Sequence, residues 1–529
     1  MKKFLMILLT FALGANLSAR TKAQQPSLQF NAHAGEERLL TMPGGNEVSY
    51  TAYERLYFVT HIEDSAYQFM NVYVPHGATQ QTPIFLRTYV GGYMASAAAQ
   101  PQAGDATGRA LQEGYVVVIP GSRGRNSTVV AGKTDKKRGI KRGQTIYTGR
   151  APAAILDLKA AIRYLRHFDD VMLGDAEHII TDGTSAGGAM SSLMGATGNN
   201  PAYEPMLRAM GAADERDDVF ASVCYCPITD LDHADMAYEW LYNGTDSRQQ
   251  GNADVLAVSN ELKAQFPAYL ASLNLHAPDG TLLTADNYLD YIKGELIRSA
   301  QIAKDAGADI PDTLGFVFSE EPGFGAPPTG GGGMKRVSKH ELSDQMKMPE
   351  NEFDKMISQD IQARPPMMPR LGGAKRVGEY IIDLDMDKYL DYVVSTQPLK
   401  TAPAFDTQGV VGQQASGENE EFGDSKGSSV NFTDYSAAKT STAVTPEIAA
   451  NVALLNPMNF IGDGVTDVAP HWYIRHGARD RDTAFPVPIN LALKLLNAGK
   501  DVNFLLAWNR PHSGDYALDE LFDWIKSLF

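Results

Sequence analysis

The pentapeptide Gly183-Thr184-Ser185-Ala186-Gly187 surrounds one serine with glycines in a pattern typical of nucleophilic serines. The apolar run His178–Thr181 precedes it and Gly188-Ala189-Met190 follows it, which predicts a strand, a tight turn and a helix. Glycines relieve crowding at such a turn, the hydroxyl is exposed, and the helix N-terminus stabilises developing negative charge. We therefore interpret Ser185 as a nucleophile for acyl transfer.

A serine nucleophile needs a general base, and the candidates are the histidines that follow it in the chain: His233, His276, His340, His471, His476 and His512. His512 lies in Pro511-His512-Ser513-Gly514, after the last apolar strand and before the final helix, and is predicted as the base. His471 and His476 flank a predicted strand, so we interpret both as structural.

The acid member of a triad should follow the strand before that one. His476-Gly477-Ala478-Arg479-Asp480 supplies a carboxylate there, and Asp482 competes with it two residues later. The first carboxylate after the strand is better placed to reach an imidazole, so Asp480 is predicted as the acid and Asp482 as a residue facing the pocket.

An oxyanion hole requires two backbone N–H groups. One should be that of Ala186, directly after the nucleophile. The other should come from Gly91-Gly92-Tyr93, which follows a predicted strand, with Gly92 as the leading candidate. A plain tight turn is the alternative interpretation of these glycines.

These residues need a scaffold, and the chain alternates short apolar runs with helical stripes. The predicted strands are Ala66–Val74, Pro83–Tyr89, Tyr115–Pro120, His178–Asp182, Val219–Cys226, His471–His476 and Val502–Ala507. Apolar spacing predicts helices through Ile155–Leu165 and Leu518–Leu528. Such alternation predicts an α/β fold of the α/β-hydrolase type, with a mostly parallel, doubly wound sheet.

Residues 231–455 interrupt this alternation, so we predict a core of residues 24–230 and 456–529 with an inserted lid domain. The insertion contains the glycine run Gly330–Gly333, interpreted as a mobile loop, and a Met- and Lys-rich piece, Met346–Met368. At its start, Asp230, Asp232, His233 and Asp235 match no metal-ligand spacing and are interpreted as a capped helix start.

Composition limits the possible partners. A formal charge of −16 argues against a nucleic-acid partner, and the basic run Lys133–Arg142 is interpreted as solvated surface.

Residues 1–23 resemble a cleavable signal peptide, with Ala19 as an alternative cleavage position, and no later segment should span a membrane. The protein is therefore expected to be secreted or periplasmic. Cys224 and Cys226 are interpreted as buried thiols on a core strand, and no metal or cofactor is expected.

Taken together, these motifs resemble those of the bacterial tannases, α/β-hydrolases with an inserted lid. The resemblance covers most of the mature chain and is densest in five stretches: Gly183–Gly188, Cys226–Leu231, Leu399–Asp406, His476–Thr483 and Pro511–Tyr516. Fungal tannases differ, because they carry cysteines where this chain has Thr184 and Ser513.

The resemblance implies hydrolysis of galloyl esters to gallic acid. It also implies that Lys400, Glu418 and Asp482 hold the three ring hydroxyls, since phenols donate to carboxylates and accept from an ammonium group. The partner is then a small aromatic ester. A feruloyl or other carboxylesterase is the alternative, whereas a non-catalytic binding module is disfavoured by the complete triad. The oligomeric state is left open.

Overall fold

The computed structural model describes residues 27–321, apart from 135, 137 and 138, and residues 380–529. The proposed signal peptide, residues 1–23, lies outside the described residues, as do Gly330–Gly333 and Met346–Met368.

The described strands are β1 (Glu36–Thr41), β2 (Glu47–Tyr57), β3 (Phe69–Pro75), β4 (Pro83–Arg87), β5 (Val116–Pro120), β6 (Thr128–Val130), β7 (Thr145–Tyr147), β8 (Asp175–Thr184), β9 (Ala221–Tyr225), β10 (Phe316–Ser319), β11 (Tyr380–Leu384), β12 (His471–Gly477) and β13 (Asp501–Ala507). Nine of them form one sheet in the order β1-β2-β3-β5-β4-β8-β9-β12-β13. The strands from β5 to β13 in this order are parallel, and β1, β2 and β3 pair antiparallel at one side.

The seven strands predicted from the sequence are all present, with ends shifted by a few residues. Strands β3, β5 and β9 are buried along their whole length, which explains their continuous apolar sequences. The edge strand β1 and its neighbour β2 were not predicted, because they are half-exposed and contain charged residues that obscure the alternation.

Helices cover both faces of the sheet, as the doubly wound prediction requires. Their bounds are α1 (Ala106–Gln112), α2 (Ala153–His167), α3 (Ala186–Ala196), α4 (Glu204–Met210), α5 (Leu231–Tyr242), α6 (Asp246–Gln249), α7 (Ala253–Lys263), α8 (Phe266–Leu273), α9 (Tyr288–Asp305), α10 (Met386–Thr396), α11 (Gly417–Glu421), α12 (Asp434–Thr440), α13 (Pro446–Leu454), α14 (Pro486–Asn497) and α15 (Leu518–Lys526). One apolar cluster includes α2, α3 and α14, and a second includes α1 and α15. The predicted stripes in α2 and α15 supply the buried faces of these helices.

The described part of the insertion carries α5 to α13 and the antiparallel pair β10-β11. Leu241, Leu296 and Tyr389 from this part belong to the same buried cluster as α2 and α3. The insertion therefore shares its apolar core with one face of the sheet.

The start of the insertion corrects one detail of the sequence interpretation. Helix α5 does begin after Asp230, but Asp230 has a left-handed backbone, φ 54°, and its side chain caps no N–H group. Its carboxylate instead accepts hydrogen bonds from Asn456 at 2.7 Å and from Tyr269, and pairs with His233 at 2.8 Å. A network of side chains, rather than a cap, fixes this junction.

Candidate active site

Ser185 occupies a strained turn between β8 and α3. Its φ of 63° and ψ of −125° lie in a region that L-residues rarely adopt. A Cβ on Gly183 would lie 2.2 Å from the carbonyl oxygen of Gly187, and one on Gly187 would lie 2.8 Å from that of Val90. Both glycines of the motif are thus required by close backbone approach.

Three predicted residues meet at this turn. The Ser185 Oγ is 2.8 Å from His512 Nε2, and His512 Nδ1 is 2.7 Å from Asp480 Oδ2. Asp480 is fully buried and His512 is mostly buried. Because the ionised Asp480 can only accept, His512 Nδ1–H donates to it and Nε2 accepts from the serine hydroxyl. This arrangement can remove the serine proton during nucleophilic attack.

The charges of the site favour this protonation pattern. Burial raises the pKa of Asp480, but the neighbouring His476 and the hydrogen bond from His512 outweigh it and lower that pKa to about 2. Burial lowers the pKa of His512, but the hydrogen bond and charge of Asp480 raise it above its ordinary value. Asp480 is therefore a carboxylate, poised to stabilise an imidazolium on His512.

The competing carboxylate, Asp482, has a different environment. Its backbone N–H donates to Asp480 Oδ1 at 2.7 Å, and its side chain pairs with Arg481 at 2.7 Å. The structure therefore places Asp480 against His512 and leaves Asp482 beside it with a partly exposed side chain.

The two predicted oxyanion-hole residues lie at the start of α3 and in the loop after β4. Ala186 is the first residue of α3, where backbone N–H groups lack intrahelical acceptors. Gly92 has a positive φ of 54°, and its carbonyl accepts a hydrogen bond from Arg125 Nε at 2.8 Å. A side chain at position 92 would be strained, so the glycine turn has a conformational reason.

The residues implied to bind ring hydroxyls lie near the candidate triad or near the loop that contains Gly92. The charges of Lys400 and Asp482 both act on His512, and that of Glu418 acts on Tyr93, the neighbour of Gly92. Lys400 Nζ lies 4.0 Å from the centre of the Phe405 ring. Positions 400 and 482 thus lie near His512, and position 418 lies near Tyr93.

The side chain of Asn419, a residue that has no recognisable motif in the sequence, anchors the helix that carries Glu418. Its fully buried amide donates to Asp406 and Val430 and accepts from Thr407 and Ser416, at 2.6 to 3.1 Å. Short helix α11 is therefore fixed by a side chain inside it.

Arg125 is a further residue that sequence reasoning missed. Besides the bond to Gly92, its backbone N–H donates to Tyr93 at 2.8 Å, and its guanidinium pairs with Glu420 in α11. One side chain thus joins the candidate oxyanion loop to the helix that carries Glu418. Nothing in the spacing of residue types around position 125 signals this contact.

The loop that carries His512 is anchored by contacts that only folding creates. Arg87 donates two hydrogen bonds to Asp515, at 2.7 and 2.9 Å, and also pairs with Asp182. A Cβ on Gly514 would lie 1.9 Å from Thr184 Oγ1, so the loop lies directly against the serine turn. Asp515 lies within Pro511–Tyr516, one of the stretches that resemble the tannases, and this was the feature of the sequence that could have pointed to it.

The other histidines and the two cysteines considered from sequence have the following environments. His471 pairs with Asp501 at 2.9 Å, as a structural histidine. His476 is fully buried with its Nδ1 3.6 Å from Asp480 Oδ2, and burial lowers its pKa to about 4.

Cys224 and Cys226 are free, buried thiols, but Cys226 lies beyond the end of β9 with a positive φ of 43°. The prediction that both are strand residues is thus wrong for Cys226, because the chain turns there.

The described basic residues of this run are exposed, as predicted, namely Lys133, Lys136, Lys141 and Arg142. In the described part of the chain we find no helix with both the length and the apolar character needed to cross a bilayer.

A mostly parallel sheet between two helical layers, with a strained serine joining a strand to a helix, defines the chain as an α/β-hydrolase. The structure of tannin acyl hydrolase from Lactobacillus plantarum matches with a TM-score of 0.74 and 35% sequence identity, covering 94% of this chain and 98% of that one. The chain belongs to the tannase family and is a carboxylic ester hydrolase.

Other comparisons agree with this assignment. The tannase of Fusobacterium nucleatum matches at 33% identity with a TM-score of 0.73, covering 95% of this chain and 99% of that one. A tannin acyl hydrolase solved in complex with ethyl gallate matches at 35% identity with a TM-score of 0.74, covering 94% and 98%. The family model described as BD-FAE matches residues 144–268. No curated protein matches the chain.

Proposed function

We propose that this tannase-family esterase hydrolyses galloyl esters of tannins and simple gallates through an acyl-enzyme, releasing gallic acid. The observation that carries the proposal is the hydrogen-bonded chain Ser185–His512–Asp480. Lys400 and Asp482 lie close enough for their charges to influence the pKa of His512. The ethyl gallate complex of a related tannin acyl hydrolase supports the choice of acyl group.

In the proposed mechanism Ser185 Oγ attacks the ester carbonyl while His512 Nε2 takes the hydroxyl proton. The carbonyl oxygen becomes an oxyanion, which accepts hydrogen bonds from the backbone N–H groups of Ala186 and Gly92. His512 then gives its proton to the leaving alcohol as the ester C–O bond breaks. Water repeats the attack on the galloyl-serine ester, and gallic acid leaves with Ser185 restored.

Specificity in this proposal comes from the acyl ring. Asp482 and Glu418 accept from phenol hydroxyls, and the Lys400 ammonium donates to the third hydroxyl oxygen. A methoxy group in place of a hydroxyl removes a donor and leaves a polar partner unpaired, at a cost of about 1–3 kcal/mol. We therefore assign a preference for galloyl over feruloyl groups.

The test compares kcat/KM for methyl gallate and methyl benzoate in wild type and Lys400→Ala. Wild type should strongly prefer methyl gallate, and Lys400→Ala should reduce that preference about ten- to a hundredfold while affecting benzoate far less. Lys439→Ala is the matched control, because Lys439 also lies over an aromatic ring, Tyr435, but pairs with Glu261 at the surface. It should keep the wild-type preference.

Several outcomes would contradict parts of the proposal. Equal losses on both esters in Lys400→Ala would make Lys400 structural. A wild type that hydrolyses methyl ferulate as well as methyl gallate would favour the feruloyl esterase alternative. Ser185→Ala should remove hydrolysis of every ester, and activity retained in that variant would reject the nucleophile.

We also propose that the protein is exported and that its mature form begins at Gln24. Lys2 and Lys3 before a short apolar run support this, followed by the small residue Ala23. Expression in a Gram-negative host and mass spectrometry of the N-terminal peptide would test it. A mature chain starting at Met1 would contradict export.

A further inference from the structure

Cys226, His476 and Asp480 form a cluster of potential metal ligands behind the candidate triad. The Cys226 Sγ, a ring nitrogen of His476 and a carboxylate oxygen of Asp480 all lie within 4.8 Å of one another. All three residues are fully buried. The proposed mechanism uses Asp480 but neither Cys226 nor His476.

His476 provides the second observation. Neither of its ring nitrogens has a hydrogen-bond partner within the described part of the chain, although the side chain is fully buried. Buried polar atoms without partners are rare, because the lost hydration is not replaced. Nδ1 lies 3.6 Å from Asp480 Oδ2, so the unpartnered ring is directed at the cluster.

We propose that Cys226, His476 and Asp480 bind one soft divalent cation of the Zn²⁺ or Cd²⁺ type. A thiolate, an imidazole and a carboxylate are a donor set that such ions prefer over Mg²⁺ and Ca²⁺. Binding releases the Cys226 thiol proton to solvent, so the thiolate and the carboxylate together neutralise the two positive charges of the cation.

The geometry requires a modest contraction. Bonds of about 2.0–2.3 Å in a tetrahedral site place ligand atoms about 3.3–3.8 Å apart, so the cluster must close by about 1 Å. The carbonyl oxygen of Ser513 accepts a hydrogen bond from Cys226 Sγ at 3.3 Å, and it can complete the coordination when the thiol proton leaves. Ser513 lies on the loop that carries His512, which must open locally to admit the ion.

Binding would inhibit the esterase. Asp480 Oδ2 accepts the hydrogen bond from His512, and a cation on that carboxylate competes for it. Inhibition should develop slowly, because the cluster is closed to solvent. This consequence rests on the proposed role of Asp480, whereas the binding itself does not.

The first experiment measures binding without enzymatic turnover. Metal-free mature protein is titrated with CdCl₂, and the thiolate-to-cadmium charge-transfer absorbance in the ultraviolet is recorded. Wild type should show a band that saturates at one cadmium per chain. Cys226→Ser should lose it, and His476→Ala should need at least tenfold more cadmium.

Cys224→Ser is the matched control, because Cys224 is equally buried two residues away but hydrogen-bonds with Ser222 instead. It should retain the cadmium band. Circular dichroism establishes that each variant is folded, and Cys226→Ala replaces Cys226→Ser if the serine variant is not. A missing band in wild type, or one that persists without Cys226, overturns the site.

The second experiment measures slow-onset inhibition of methyl gallate hydrolysis by ZnCl₂ and its reversal by EDTA. Wild type and Cys224→Ser should be inhibited alike, whereas Cys226→Ser should lose at least tenfold in zinc sensitivity. Equal zinc sensitivity in Cys226→Ser overturns the inhibitory site. If the enzyme hydrolyses no gallate but the cadmium band behaves as stated, the proposed function fails and the metal site stands.

Discussion

Asp480 and Asp482 show how two carboxylates separated by one residue acquire different environments. Asp480 is buried and bonded to His512, whereas Asp482 is partly exposed and paired with Arg481. The backbone N–H of Asp482 donates a hydrogen bond to the Asp480 carboxylate, so a shift of one residue would also move the other. Their proposed roles, orientation of the base and recognition of the ring, follow from this difference.

We expect Asp480→Asn to lower kcat by about four orders of magnitude with little change in KM, because His512 loses its orienting acceptor. Asp482→Asn should mainly raise KM for methyl gallate and leave benzoate hydrolysis close to wild type. Steady-state kinetics on both esters checks this. Reversed phenotypes would require the two roles to be exchanged.

The pH dependence of the esterase should follow His512. Asp480 raises the pKa of His512 despite its burial, and only the neutral imidazole accepts the serine proton. Activity should therefore fall as the pH drops through this raised pKa. In Asp480→Asn the pKa should move down, which NMR titration of the His512 ring can measure. An unchanged pKa would show that Asp480 does not set it.

At the scale of elements, β4, β8 and the loop after β13 are connected by Arg87. This buried guanidinium lies at the end of β4, pairs with Asp182 in β8 and holds Asp515 three residues after the base. The anchor and the close approach of Gly514 to Thr184 together determine where the imidazole lies relative to Ser185.

Asp515→Asn should therefore lower kcat about ten- to a hundredfold with little change in KM, since small displacements of catalytic groups are costly. Labelling of Ser185 by a serine-directed phosphonate should slow in parallel. Asp519→Asn is the control, because its ion pair with Arg109 is exposed in the same terminal segment. Similar losses in both variants would assign Asp515 a general structural role.

At the scale of the whole molecule, the active-site end of the sheet is separate from an ion network at the opposite end. Asp217, which precedes β9, pairs with Lys159 at 2.7 Å and with Arg163 at 2.8 Å, both from α2. Lys159 and Asp217 are fully buried. This network connects α2 to the start of β9 far from the catalytic strand ends.

Asp217→Ala should reduce the free energy of unfolding by about 3–5 kcal/mol, because it leaves the buried Lys159 ammonium without an ion-pair partner and removes one of the two carboxylates that pair with Arg163. Urea unfolding measures this, and kcat under native conditions should be unchanged. Burial raises the pKa of Asp217, but the two cations outweigh it, so the net shift is downward. Its contribution is therefore complete above the ordinary carboxyl pKa and is lost as acid protonates the group.

Asp218→Ala supplies the comparison, because the neighbouring Asp218 is partly exposed in its pairs with Arg216 and Arg166. It should cost less than about 1 kcal/mol. Equal destabilisation by the two substitutions, or a loss of kcat in Asp217→Ala, would contradict the separation of stability from chemistry.

The sequence alone determined the features that depend on local pattern. Continuous apolar runs identified seven strands, the six parallel strands of the sheet and antiparallel β3, since buried strands need no polar face. The glycine spacing around Ser185 and the positions of Asp480 and His512 after their strands identified the candidate triad. Half-exposed β1 and β2 escaped this reasoning, because their charged residues mask the alternation.

Tertiary structure alone decided what depends on distance in space. It brought Arg87 to Asp515 and Arg125 to Glu420, contacts between residues hundreds of positions apart whose types carry no spacing signal. It also turned the chain at Cys226 and placed that thiol beside His476 and Asp480. Local propensity acts through neighbours in the chain, whereas ion pairs and ligand clusters depend on how the strands and loops are packed together.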